Sequence, residues 1–120
     1  MKSIKILTVL FIVSLFGTSF QLSAPRRLLL FGKDQAAFQT QLQWLGEDTV
    51  GLIERDVKIE KIDYKNPLSR KHNIKTGQLT VLLIGRDGGE KFRIHSPVTT
   101  KELFDIIDSM PMRQLEMKKN

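Results

Sequence analysis

Lys33 and Asp34 stand where a short apolar run gives way to a helical pattern, and backbone amides at a helix start can hold an anion beside the Lys33 ammonium. Glu54-Arg55-Asp56 places a cation between two carboxylates. Catalytic carboxylates need opposed positions and shifted pKa values, so the triplet reads as a local ion-pair cluster fixing a turn. Gly85-Arg86-Asp87-Gly88-Gly89-Glu90-Lys91 has the glycine content of a phosphate loop. Such a loop places Gly-Lys-Ser/Thr at the head of a helix, whereas here Glu90 separates Lys91 from Gly89 and a strand pattern follows, so the segment is a hairpin turn. Asp87 alone does not make a calcium loop, which needs several oxygen ligands at alternate positions. His72 and His95, the only histidines, are 23 positions apart with no partner at zinc-ligand spacing. Ser23, Ser69, Ser96 and Ser109 lack the Gly-x-Ser-x-Gly setting of a hydrolase nucleophile. The absence of cysteine excludes disulfides, cysteine-zinc sites, iron-sulfur clusters and thiol nucleophiles together.

The elements that must position these residues follow from periodicity. Leu28-Leu29-Leu30-Phe31 is a continuous apolar run ending at Gly32, as in a strand buried on both faces. Asp34 is placed to cap the next helix, on which Phe38, Leu42 and Leu45 share one face, Gln35, Gln39 and Gln43 the other, and which Gly46 stops. Val57 and Ile59 alternate with Lys58 and Glu60 as a half-buried second strand. Asn66-Pro67 starts a short helix. Leu79 to Ile84 is a strand that Asp87-Gly88-Gly89 turns into Phe92 and Ile94. Thr99-x-x-Glu102 forms a capping box ahead of Leu103, Ile106, Ile107 and Met110, and Pro111 should end or kink that helix. The predicted order is β-α-β-α-β-β-α. Strands joined through helices suggest parallel pairing of the first three, with the last hairpin antiparallel.

A chain of 120 residues with 41% hydrophobic and 27% charged residues has the composition of one compact domain. Its net charge of +6 includes Lys2 and Lys5, and without them it is +4. Glu47, Glu54, Asp56, Glu60 and Asp63 interrupt the bases, which argues against nucleic-acid binding. Lys2 and Lys5, an apolar run from Ile6 to Phe16, and Gly17-Thr18-Ser19 have the build of a secretory signal. The run is shorter than the roughly 20 residues a membrane-spanning helix needs. The expected organisation is a signal peptide over 1–19, a folded domain over 20–112 and a basic C-terminal tail over 113–120. In that tail region Met110, Met112 and Met117 with Arg113, Lys118 and Lys119 form a soft apolar and basic surface able to meet a partner.

Several segments together resemble the P-DUDES family, thioredoxin-like domains of unknown function. They are Arg27-Leu28-Leu29-Leu30-Phe31, Glu54-Arg55-Asp56, Thr80-Val81-Leu82-Leu83-Ile84-Gly85-Arg86-Asp87-Gly88 with Lys91, Glu102-Leu103-Phe104, Ile107-Asp108 and Met110-Pro111-Met112-Arg113. The resemblance implies an α/β, thioredoxin-like fold with a four-stranded mixed sheet, and export from a bacterial cell. A redox thioredoxin carries its nucleophilic cysteine at the start of the first helix, where this chain reads Phe31-Gly32-Lys33-Asp34-Gln35, and a cis-proline before the third strand, where it reads Gln78-Leu79.

The expectation is therefore an exported, periplasmic or extracellular module with no thiol redox activity, no catalytic residue, no metal and no cofactor. Its partner would be an envelope or extracellular protein or an anionic ligand, with membrane contact only through an uncleaved signal. Candidate interaction residues are Lys33, Asp34, Met112 and Arg113. The alternative is a cysteine-independent enzyme with its site at the Lys33-Asp34 helix start.

Overall fold

A computed structural model describes residues 24–119 of the chain; the expected signal peptide, 1–19, lies outside the described residues. The elements run β1 (Arg26–Phe31), α1 (Ala36–Gly46), α2 (Thr49–Glu54), β2 (Val57–Ile62), α3 (Pro67–Lys71), β3 (Thr80–Ile84), β4 (Glu90–Ile94), α4 (Thr100–Asp108) and α5 (Pro111–Lys119). The four strands form one mixed sheet in the order β2-β1-β3-β4. The fold class is the expected one, an α/β thioredoxin-like arrangement.

β1 occupies the middle of the sheet and is apolar on both faces for that reason. Leu28 and Leu30 join Phe38, Leu45, Leu52, Val81, Leu83, Leu103 and Ile107 in the larger core, under the long helices. Leu29 and Phe31 join Leu82 and Ile84 on the opposite face, with Ile62, Tyr64 and Ile74 packed against them. Alternation along β1 and β3 thus supplies two cores from one run of leucines.

β1 and β2 are parallel, with Leu28 opposite Ile59. β3 is antiparallel to β1, with Leu29 opposite Leu82, which corrects the expectation that the first three strands run the same way. The connection over residues 63–79, with the short α3 in it, stays at one end of the sheet: Ile62, the last residue of β2, and Thr80, the first of β3, both lie opposite Phe31. The chain re-enters the sheet from the end at which it left, and the pairing is antiparallel.

Two helices exceed the expected order. α2 was concealed because Gly46 reads as a terminator and Gly51 lowers helix propensity at the centre of a six-residue segment. Gly51 is there for packing, since a methyl group at that position would collide with the Phe104 ring of α4. Asp48 caps α2, its Oδ1 accepting from the Gly51 N–H at 2.9 Å. The stretch read as a basic tail from 113 onward is the body of α5. Pro111 does follow the end of α4 but is itself the first residue of the next helix, a position where its missing N–H costs nothing. Lys118 and Lys119 lie in the last turn of α5, where cations favour the helix dipole.

The capping signals at Asn66 and Thr99 hold: Asn66 Oδ1 accepts from the Leu68 N–H and Thr99 Oγ1 from the Glu102 N–H. Asp34 is not a cap. The helix starts at Ala36, so the N-cap position falls on Gln35, whose side chain makes no capping bond, while Asp34 sits in the turn closed by the Gln35 N–H to the Gly32 carbonyl at 2.9 Å.

Candidate functional site

The parallel strands β1 and β2 end side by side, and a crevice at the carboxyl ends of parallel strands is where open α/β sheets place ligands. Gly32, Lys33, Asp34, Ile62, Asp63 and Tyr64 line a cavity of about 100 Å³ there. Gly32 turns the chain out of β1 with φ +102°, and a Cβ on it would lie 2.7 Å from the Gln78 carbonyl oxygen. The Tyr64 hydroxyl donates to that same carbonyl at 2.6 Å, tying the exit of β2 to the entry of β3 across the corner. Gly32→Ala therefore meets both a disfavoured φ and a backbone oxygen, and should lower stability by about 2 kcal/mol. Urea unfolding with a lowered midpoint and unchanged slope is the expected reading; wild-type stability would show that the Gln78 segment yields instead.

Lys33 and Asp34 are both exposed at this corner. The Lys33 ammonium is 3.1 Å from an Asp63 carboxylate oxygen, so the cation expected to hold an anion already faces one. Asp63 is held below the usual carboxylate range by the Lys65 backbone N–H and then by Lys33. Among the described residues Asp34 accepts only from the neighbouring Gln35 amide, at 3.3 Å. A shallow depression with an exposed ion pair is suited to receiving a polar side chain or an anionic group, and is too small to enclose a substrate of ordinary size, which needs about 300 Å³ or more.

Met112 and Arg113 lie at the other end of the molecule. Arg26 opens β1 and Gly32 follows it, so about 20 Å of strand separates the two pairs of candidate residues, and the fold does not bring them together. Met112 is partly exposed and lines a cavity of about 200 Å³ with Arg26, Arg86, Lys91, Met110 and Pro111. Arg113 is not an exposed interaction residue: it is 8% exposed, and its Nε donates to Asp108 Oδ1 at 3.0 Å. It belongs to a network that the sequence reading missed.

That network joins Arg26, Arg55, Arg86 and Arg113 to Asp56, Asp108 and Glu116. Arg26, 1% exposed, donates from both terminal nitrogens to Glu116, at 2.8 and 3.2 Å, and to the Arg55 carbonyl at 2.7 Å. Arg86 donates to Glu116 at 3.0 Å and to Asp56 at 2.8 Å. Arg55 grips Asp108 through Nε and Nη2 at 3.0 and 2.9 Å, and its guanidinium lies 3.9 Å over the Phe104 ring. Glu116, facing Arg26 and then Arg86, is lowered from 4.5 to about 2, and Asp108 is lowered chiefly by Arg55. The Glu54-Arg55-Asp56 triplet is thus not a local ion-pair cluster. Arg55 reaches α4, Asp56 reaches Arg86, and Glu54 approaches Arg55 only to 3.9 Å.

The residues that carry the family resemblance meet here: Arg55 and Asp56, Arg86, Asp108 and Arg113 come from four separate segments. A family model described as a domain of unknown function, DUF4174, matches residues 20–116. The chain belongs to that family. The DUF4174 chain has no match among curated proteins. Its fold is shared with solved structures of low identity. Thioredoxin-2, a component of the malaria parasite protein secretion machinery, is 21% identical with a TM-score of 0.58, over 72% of this chain and 84% of that one. The 2-Cys peroxiredoxin of Plasmodium vivax is 16% identical with a TM-score of 0.58, over 78% and 80%. Thioredoxin 1 of Thermosipho africanus is 20% identical with a TM-score of 0.51, over 78% and 99%. At these identities the likeness is one of fold alone. Among the described residues of the DUF4174 domain no peptide bond is cis, no three histidine or acidic side chains cluster as a metal would require, and no helix is long and apolar enough to cross a membrane.

Proposed function

We propose that this DUF4174 domain is an exported, non-catalytic binding module that works in the periplasm or outside the cell, and that its thioredoxin-like scaffold serves recognition without redox chemistry. The observation that carries this reading is the corner after β1. Gly32, Tyr64 and Gln78 hold that corner rigidly, and Lys33, Asp34 and Asp63 present charge from it over a depression of about 100 Å³. No cysteine stands in the chain, and the carboxylates of the arginine network are engaged in ion pairs instead of being poised for proton transfer. The signal-like segment over 1–19 supports export. An envelope or extracellular protein, or an anionic ligand, is the partner class that an exposed charged corner suits.

Assays of the purified protein against peroxides, disulfides and ester, peptide and glycoside substrates are expected to show no turnover above the buffer rate. Turnover in the range of about 1 s⁻¹ or faster on any of them would overturn the non-catalytic reading, and its loss in Lys33→Ala and Asp34→Ala variants would place the chemistry at the β1 corner.

A further inference from the structure

Asn73, Lys75, Gln78, Arg93 and His95 line a groove of about 310 Å³, of which Gln78, whose carbonyl accepts from Tyr64, is the residue shared with the β1 corner. All five lining side chains end in polar groups, which favours a polar ligand over an acyl chain. Two carry a fixed positive charge, one is an imidazole and two are amides. The segment leading into the groove is basic, with Lys65, Arg70, Lys71 and Lys75 between Asp63 and the start of β3 and no carboxylate among them, while Glu90 is the carboxylate paired with Arg93. Glu47, Glu54, Asp56, Glu60 and Asp63, whose interspersion among the bases argues against a basic block, all fall before this stretch.

The local geometry leaves donors facing the opening. Arg93 is oriented by Glu90, which takes its Nε and Nη2, and by the His72 carbonyl at 2.8 Å. Among the described residues nothing bonds Arg93 Nη1, the Lys75 ammonium or the side-chain amides of Asn73 and Gln78. His95 uses Nδ1 against the Thr80 hydroxyl at 3.2 Å, which fixes the ring and leaves Nε2 to the groove. His72, next in sequence to Asn73, is held below the usual imidazole range by burial first and then by Lys71 and Arg93, with Glu90 opposing.

The geometry points to a binding site for a single hydroxylated oxyanion, a sugar acid or sugar phosphate: Lys75 and Arg93 take the anionic group, while the Asn73 and Gln78 amides, each both donor and acceptor, take hydroxyls. The volume is at the lower end for small-molecule sites, about 300–1,000 Å³, which fits one sugar unit and not a chain of them. This site is separate from the β1 corner, and the discovery of an enzymatic activity there would leave it standing.

The test is a titration of the isotopically labelled full chain with glucuronate, glucose 6-phosphate, glucose and inorganic phosphate, followed by amide chemical shifts. Saturable shifts centred on Asn73, Lys75, Gln78 and His95 are expected with glucuronate or glucose 6-phosphate, at least about tenfold tighter than with glucose. The tighter of the two identifies the anionic group as carboxylate or phosphate. Lys75 is exposed and unpaired among the described residues, so Lys75→Glu should leave the fold intact and weaken binding about tenfold or more. Absence of saturation by ~20 mM of both sugar anions, or glucose binding as tightly as either, would overturn the site. So would shifts centred on Lys33 and Asp34, and inorganic phosphate matching glucose 6-phosphate would remove the saccharide from the assignment.

Discussion

Glu116→Gln is expected to lower stability by about 3 kcal/mol at pH 7, and the deficit should disappear in acid. Glu116 bridges Arg26 and Arg86, and in the folded protein its carboxyl is lowered from 4.5 to about 2. A depression of that size at about 1.4 kcal/mol per pKa unit gives the stated figure. The sign follows from linkage. The folded state binds this proton more weakly than the unfolded state, so the carboxylate's contribution is fully present above about pH 4.5 and is lost as pH falls through about 2. Wild type and the variant should therefore differ most at neutral pH and converge as the pH approaches 2. The glutamine keeps one oxygen acceptor but turns an amide donor toward guanidinium donors, so Arg26, 1% exposed, would keep only neutral acceptors for its buried charge. Urea midpoints measured for both proteins from pH 7 to pH 2 decide the matter. A gap that stays constant across that range would mean that Glu116 acts through packing and not through charge.

Gln41→Leu should cost about 3 kcal/mol although it replaces a buried polar side chain with an apolar one of similar size. Gln41 is 0% exposed, and its amide closes a two-bond ring with the Val98 backbone: Nε2 donates to the Val98 carbonyl at 2.9 Å, and Oε1 accepts from the Val98 N–H at 2.7 Å. Leucine leaves both backbone groups buried and unpaired, at about 1–3 kcal/mol each, against which its own burial is a partial offset. Gln41→Ala, which adds a cavity, should be worse, about 4 kcal/mol. Val98 immediately precedes the Thr99 cap of α4, so this contact pins the start of that helix to α1. Amide exchange separates the local effect from the global one: the Val98 N–H should lose protection beyond what the change in overall stability explains. Unchanged protection of Val98 would show that a water replaces the glutamine.

Gln41 and Arg26 each carry a signal that residue chemistry masks. Gln41 lies three after Phe38 and four before Leu45, on the buried face of α1, whereas attention to Gln35, Gln39 and Gln43 assigns glutamine to the solvated one. Arg26 shares the parity of Leu28 and Leu30, and alternation along β1 already points it into the larger core side. Charge and amide groups enter a core only with partners, and those partners are 57 and 90 positions away along the chain. Local pattern does not register contacts at that separation.

The capping residues Asn66 and Thr99, the β3 to β4 hairpin, the apolar centre of the sheet and the absence of a thiol were legible because each depends on residue type and spacing within about one turn or one strand. The family was legible through its motifs, and the structure gives Arg55, Asp56, Arg86, Asp108 and Arg113 within those motifs one shared place: they close one charge network at the start of β1. The antiparallel direction of β3, the conversion of a supposed basic tail into α5, the burial of Arg113 and the groove beside Gln78 were decided only by tertiary structure. Each depends on which distant side chain satisfies a donor, or on the end of the sheet at which a connection re-enters, and local residue pattern carries neither.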